Sequence, residues 1–161
     1  MNCSQCGTSM KSKRENVRYD ASGLANVTLE NVEVRRCPSC GAYEIVIPRI
    51  DDLHRAIAEA VIRKRGRLAP KEIRFLRKYL GWSGVDFAAH MGTTAETVSR
   101  WEQGATRMGV TADRLLRLMV ASRHPVREYP LEVMREVAKQ GAKPIHVRAR
   151  VAPKGWHTRA A

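Results

Sequence analysis

All four cysteines of the 161-residue chain fall in two C-x-x-C pairs, Cys3-Ser-Gln-Cys6 and Cys37-Pro-Ser-Cys40. Nothing else in the sequence constrains the fold as tightly. Four soft thiolates on two short loops match the tetrahedral shell of one structural zinc ion. Gly7 and Gly41 directly follow the second cysteine of each pair, where a residue without Cβ lets the backbone turn sharply beside a metal. Disulfides or unligated buried thiols are the competing readings, and two like pairs with the same trailing glycine favour the metal. Cys3, Cys6, Cys37 and Cys40 are therefore the expected ligands of one Zn2+.

The first forty or so residues are poor in large apolar side chains, so a metal staple is what lets them fold. Between the pairs, Val17-Arg-Tyr19, Val27-Thr-Leu29 and Val32-Glu-Val34 alternate apolar with polar, and Tyr43-Glu-Ile45-Val-Ile47 follows the second pair. These read as short antiparallel strands, with turns at Asp20–Gly23 and near Asn31. Thirty residues separate Cys6 from Cys37, which leaves room for a hairpin carried on the metal site. Pro48 ends the last strand. A helix over about Arg49–Lys64 follows, with Ile50, Leu53, Ile57, Val61 and Ile62 on one stripe. His54 lies on that stripe and reads as a packed or solvent-facing histidine, since four thiolates already fill the shell. Arg63-Lys-Arg-Gly-Arg67 breaks the pattern, placing a boundary near Gly66.

From Pro70 the chain reads as a series of short helices. Pro70–Leu80 buries Ile73, Leu76 and Leu80. Ser83 caps a helix carrying Phe87, Ala88 and Met91 that ends at Gly92, and Thr94 caps another over Ala95–Gln103 that stops at Gly104. Thr111 caps the next, with Leu115, Leu118 and Met119 expected inward. A further amphipathic helix is expected at about Leu131–Gln140. Ala142–Ala161 has no acidic residue and reads as a mobile basic tail with a possible strand at Ile145–Val151. The expected class is α+β: a zinc-stapled β domain (1–65), an all-α helix-turn-helix domain (66–123), and a helical extension with a basic tail (124–161).

The formal net charge is +13, which favours polyanionic partners and nucleic acid above all. The excess is uneven: Arg123–Ala161 holds nine lysines and arginines against three glutamates. The start, Met-Asn-Cys, shows no basic stretch leading into an apolar run. No segment has the apolar length of a membrane span. The expectation is a reducing cytoplasm, where such pairs bind metal rather than crosslink. Redox use of a C-x-x-C pair needs the first cysteine at a helix N-terminus in a βαβ setting, which neither pair has. An RNA-binding ribbon would need aromatics placed to stack bases, and none stand so. No serine–histidine–carboxylate set, phosphate loop or acid pair suggests catalysis, so no catalytic residue is expected.

Leu80 to Gly104 reads as two short helices joined through Gly92-Thr93. With Val98 and Trp101 inward against Trp82, Phe87 and Met91, the second helix turns Ala95, Glu96, Ser99 and Arg100 outward, with Thr97 at its margin. A polar outward face on such a helix suits a major-groove reader. Arg100 can donate two hydrogen bonds to guanine N7 and O6, Glu96 can accept from a cytosine amino group, and Thr97 can meet a thymine methyl or a phosphate. Ser83 and the amides opening the first of the two helices lie where a phosphate would rest, and Thr94 is counted with these residues as a DNA contact. The alternative for Arg100 is an ion pair with Glu96 one turn earlier.

This segment resembles the Xre/Cro-type helix-turn-helix, in which a leucine-glycine step and an S-R-x-E-x-G ending recur; Ser99-Arg-Trp-Glu-Gln-Gly104 supplies the ending. It departs from that pattern at Gly84, where glutamine is frequent, and at Val110, where proline is frequent. Together with the two C-x-x-C pairs and the amphipathic helix, the chain over about Met1–Arg123 resembles the MqsA-type antitoxins. That resemblance implies a structural zinc held by Cys3, Cys6, Cys37 and Cys40, and an N-terminal domain that grips a ribonuclease toxin. It also implies a homodimer that represses its own operon at a palindrome, with Arg100 contacting a base. The alternative is a stand-alone regulator of the same build without a toxin partner.

Overall fold

A computed structural model describes residues 1–123, 133 and 141–160. The helix expected at Leu131–Gln140 lies outside the described residues except for Val133, which is buried.

The N-terminal half is built around one long strand. β1 (Lys11–Arg18) and β2 (Val27–Arg36) are antiparallel. A 3-10 turn at Asp20–Ser22 joins them, closed by Gly23 at φ 80°. No turn forms at Asn31; the strand runs through it as a bulge. Glu15 faces Val32 while Val17 faces Leu29. Asn31 takes φ 54°, a left-handed conformation that asparagine tolerates, and its amide donates to Asn16 Oδ1 at 3.0 Å. The extra residue shifts the side-chain alternation by one. Val27 and Leu29 before the bulge thus share the buried face with Val32 and Val34 after it, all at most 1 % exposed. β3 (Tyr43–Val46) pairs antiparallel with Glu33–Arg36 of β2. α1 (Ile50–Arg63) buries Leu53, Ile57, Ala58, Val61 and Ile62 between the sheet and the helices that follow, while Ile50 stays 46 % exposed.

The segment expected as a mobile basic tail instead joins this sheet from Val147 to Ala160, and the possible strand at Ile145–Val151 is met by the first of its two strands. β4 (Val147–Ala152) runs parallel to Val27–Glu30 of β2, and β5 (Gly155–Ala160) returns antiparallel to it. Val147 and Ala149 point into the core, and Trp156 is buried with its Nε1 donating to the Pro48 carbonyl at 2.8 Å. Arg148 and Arg159 both donate to Glu30 Oε1. Burial alone would raise the Glu30 pKa, but these two arginines hold it below the usual carboxylate range. Glu30 and Arg148 stand 118 residues apart, beyond the reach of any local pattern.

The helical half comprises α2 (Pro70–Tyr79), α3 (Gly84–Met91), α4 (Ala95–Gln103) and α5 (Val110–Arg123). α5 is rotated from expectation. It opens one residue before Thr111, with the Gly109 carbonyl accepting the Asp113 amide at 3.0 Å. Its buried side is Asp113, Leu116, Arg117 and Val120; of the residues expected inward, Met119 packs partly against the core while Leu118 is 55 % exposed. The cause is an ion pair. Arg117 Nε donates to Asp113 Oδ1 at 2.7 Å with both side chains within 1 % of full burial. The same guanidinium donates to the carbonyls of Ile62, Lys64 and Gly66 at 2.9, 2.6 and 2.6 Å. The Leu68 amide reaches Asp113 Oδ2 at 2.7 Å. The connection after α1 is thus held by α5.

A second buried pair ties in the C-terminal segment. Lys64 Nζ donates to Glu72 Oε2 at 2.6 Å and to the Lys143 carbonyl at 2.9 Å. Glu72 also accepts the amides of Ala69 at 2.7 Å and Ile145 at 3.3 Å. One cluster of buried side chains runs from Tyr19 through α1 and the helices to Trp156.

Candidate metal centre and nucleic-acid interface

The two cysteine loops fold alike. In each, the glycine amide returns to the first cysteine's carbonyl: Gly7 to Cys3 at 2.9 Å and Gly41 to Cys37 at 3.1 Å. Both glycines are left-handed, at φ 73° and 74°, as their place after the second cysteine requires. The loops face each other, so that all four sulfurs lie within 4.8 Å of one another. Cys3 and Cys40 Sγ are 3.6 Å apart and Cys6 and Cys37 Sγ 3.3 Å apart. A disulfide would need about 2.05 Å, whereas zinc bonds of about 2.3 Å put tetrahedral sulfurs about 3.8 Å apart. Cys3 and Cys37 are buried against the sheet; Cys6 and Cys40 face solvent.

The electrostatics of the cluster ask for a cation. Thr8 holds the Cys6 thiol down at about 6, through its hydroxyl and amide. Cys40 has the favourable amide of Ala42, yet the sulfurs of Cys37, Cys6 and Cys3 push it up to about 12. Four thiols this close cannot all ionise unless a positive ion shares them. The donor set fits one structural zinc ion.

His54 takes no part in the centre. Its Nε2 lies 3.0 Å from the Tyr19 hydroxyl, and its ring packs edge-on to Phe75 of α2.

The helix pair is set by its caps and its core. Thr94 Oγ1 accepts the Thr97 amide at 3.2 Å, and Gly92 closes α3 in the left-handed conformation. Val98 and Trp101 turn inward, Phe87 is fully buried, and Trp82 stacks on it at 6.3 Å. Ala95, Glu96, Ser99 and Arg100 are exposed on α4, with Thr97 half-buried beside them.

In the free chain these polar groups satisfy one another. Arg100 Nη2 donates to Glu96 Oε1 at 2.6 Å, with the side chains 59 % and 73 % exposed. Gln103 Nε2 donates to Ser99 Oγ at 3.0 Å. Ser83 is engaged by a carboxylate: its amide and hydroxyl both donate to Asp86 Oδ2, at 3.1 and 2.6 Å. Those bonds hold the Asp86 pKa below its ordinary value. Asp86 thus stands where a phosphate was expected, because a capping box closes the α3 N-terminus.

The role of Glu102 emerges only in three dimensions. It accepts two hydrogen bonds from Arg77 of α2, at 2.5 and 3.0 Å, in a largely buried pair. Arg77 also donates to the Trp82 carbonyl at 2.8 Å. This fork clamps α4 to α2 and to the turn before α3. The glutamate of the S-R-x-E-x-G ending is visible in the sequence; its partner 25 residues earlier is not.

A four-thiolate metal centre on a β sheet, followed by a capped helix pair with a polar outer face, defines a class: metal-stapled helix-turn-helix proteins. Within that class the chain belongs to the MqsA antitoxin family, the antitoxin component of a bacterial toxin–antitoxin system, whose model matches residues 1–135. No curated protein matches the chain. The β4–β5 hairpin begins beyond the matched residues. Among the described residues no helix is long and apolar enough to cross a membrane.

Proposed function

We propose that this antitoxin is a homodimeric, non-enzymatic, cytoplasmic repressor that binds a palindromic operator in double-stranded DNA with α4 and neutralises a ribonuclease toxin through its zinc domain. The observation that carries the DNA reading is the exposed face of α4, presented by a helix whose other side is fixed by Val98, Trp101 and the Arg77–Glu102 clamp. A rigid helix with exposed polar groups, paired only with one another, is what direct readout needs. Arg100 is the base-reading residue, donating to guanine once it leaves Glu96, and Glu96 is then free to accept from cytosine. Thr97, Ser99 and Ala95 complete the groove face. Thr94 and Ser83 lie over phosphates, Ser83 once Asp86 yields its hydroxyl. Two-fold symmetry sets two α4 helices about one DNA turn apart. Toxin neutralisation rests on family membership.

Arg100→Ala should cost about 1–3 kcal/mol on operator DNA and little on random duplex, measured by fluorescence anisotropy on the chain's own promoter. Equal loss on both sequences would mean that Arg100 touches only phosphate. Co-purification with the product of the adjacent gene tests the toxin reading, and a lone antitoxin with no such partner would overturn it.

A further inference from the structure

The face of the sheet turned away from α1 is lined with guanidinium groups. Register fixes which side chains share it. Arg14 stands opposite Glu33 and Arg18 opposite Thr28. Thr28 lies beside Arg148, Glu30 beside Arg150, and Arg148 opposite Arg159. The hairpin therefore adds three arginines to this face, all converging on Glu30. Arg148 is hydrogen-bonded to it, Arg159 lies at 2.9 Å and Arg150 at 3.5 Å. Three guanidiniums on one carboxylate leave two positive charges uncompensated. Glu30 itself is only 4 % exposed, whereas the Arg150 and Arg159 side chains are 63 % and 66 % exposed. The carboxylate thus sits beneath the cations and holds them in place, while their remaining N–H donors face solvent.

Along β1 the row continues. Arg14 Nη1 donates to the Asn31 carbonyl at 3.1 Å with Glu33 opposite it, and Arg18, 65 % exposed, is paired with Asp20 at 2.7 Å. The outward positions of β1, β2, β4 and β5 include no large apolar side chain. A stable protein partner needs apolar anchors at the centre of its contact. A flat set of planar, forked cations instead suits phosphate oxygens, which guanidinium binds in pairs.

We infer that this face is a second, sequence-independent contact for the phosphodiester backbone of duplex DNA, formed by Arg148, Arg150 and Arg159 of the hairpin with Arg14 and Arg18 of β1. It is separate from the α4 surface. It also accounts for the hairpin beyond the family match, which supplies the arginines and, through Glu30, fixes their spacing.

The test uses the full-length, zinc-loaded chain and a random-sequence duplex, titrated across salt concentrations. Each lost phosphate contact removes about 0.9 from the slope of log K against log salt. Arg150→Gln with Arg159→Gln should therefore flatten that slope by about 1.8 and weaken binding severalfold at low salt. Arg150→Lys with Arg159→Lys should keep the slope, because the charges remain. An unchanged slope in the glutamine variant overturns the inference. So does an equal loss in the lysine variant, which would make the arginines merely structural. A loss confined to single-stranded RNA of the same length, with duplex binding untouched, overturns it as well. Failure of the α4 reading would show instead as an Arg100→Ala variant that still discriminates operator from random sequence, and would leave these slopes unaffected.

Discussion

Arg117 ties the two halves together at the connection after α1, and Arg117→Met is the perturbation that exposes this. The native guanidinium is fully buried, paired with Asp113 at 2.7 Å, and donates to three carbonyls of the α1–α2 connection. Methionine fills a similar volume, so the change is electrostatic rather than a cavity. It leaves the Asp113 carboxylate buried with the Leu68 amide as its remaining partner, and it strips a donor from the carbonyls of Ile62, Lys64 and Gly66. Removing one member of a buried pair costs about 3–5 kcal/mol. For a chain of this length that is a fall in Tm on the order of 10 °C. Urea denaturation followed by far-ultraviolet circular dichroism reads the loss as a lower midpoint at unchanged slope. A second change separates mechanism from damage. Asp113→Asn added to Arg117→Met keeps an acceptor for the Leu68 amide but removes the stranded charge, so the double variant should regain about 1–2 kcal/mol. If Arg117→Met costs less than about 1 kcal/mol, or if Asp113→Asn deepens the loss, the ion pair does not organise the joint.

Two further outcomes test other parts of the structure. Cys37→Ser should abolish stoichiometric zinc in the purified protein and melt the sheet around the centre, read by elemental analysis and by hydrogen exchange of β2 and β3; unchanged zinc content would refute the ligand assignment. His54 is held below its ordinary 6.5 by burial, with Asp51 opposing, so the fold favours the neutral imidazole. A folded pKa below the unfolded one means that this stability is complete above about 6.5 and is lost as pH falls below it. The urea midpoint should therefore drop with acidification in that window in the native chain. In His54→Gln it should drop less until the carboxylates begin to protonate. Parallel curves for the two would show that His54 carries no linkage.

Much of the metal centre and of the helix pair is legible in the sequence, because both depend on residues a few positions apart. The C-x-x-C-Gly turns close on themselves, and the left-handed glycines stand where expected. Ser83 and Thr94 cap the helices they precede, and Gly92 and Gly104 end them. The outward face of α4 follows from where Val98 and Trp101 must go. The α1 stripe holds at four of its five positions, Ile50 in the first turn excepted. Asn31 reads as a turn because a turn and a bulge use the same left-handed residue; only the strand running beside it decides between them.

What the sequence by itself determined is therefore the set of local devices: two metal loops, the helix segments with the glycine stops of α3 and α4, and a polar helix face. What only the tertiary structure decided is how those devices are phased and joined. α5 carries apolar residues at Leu115, Leu116, Leu118, Met119 and Val120, a run that can bury more than one side of a helix. Its rotation is set by a buried Asp113–Arg117 pair whose remaining partners lie about fifty residues away. The last twenty residues read as a mobile basic tail because the acid that anchors their arginines, Glu30, stands 118 positions before Arg148. Charge looks like solubility when read along the chain; beside its partner in space, the same charge holds a strand in a sheet.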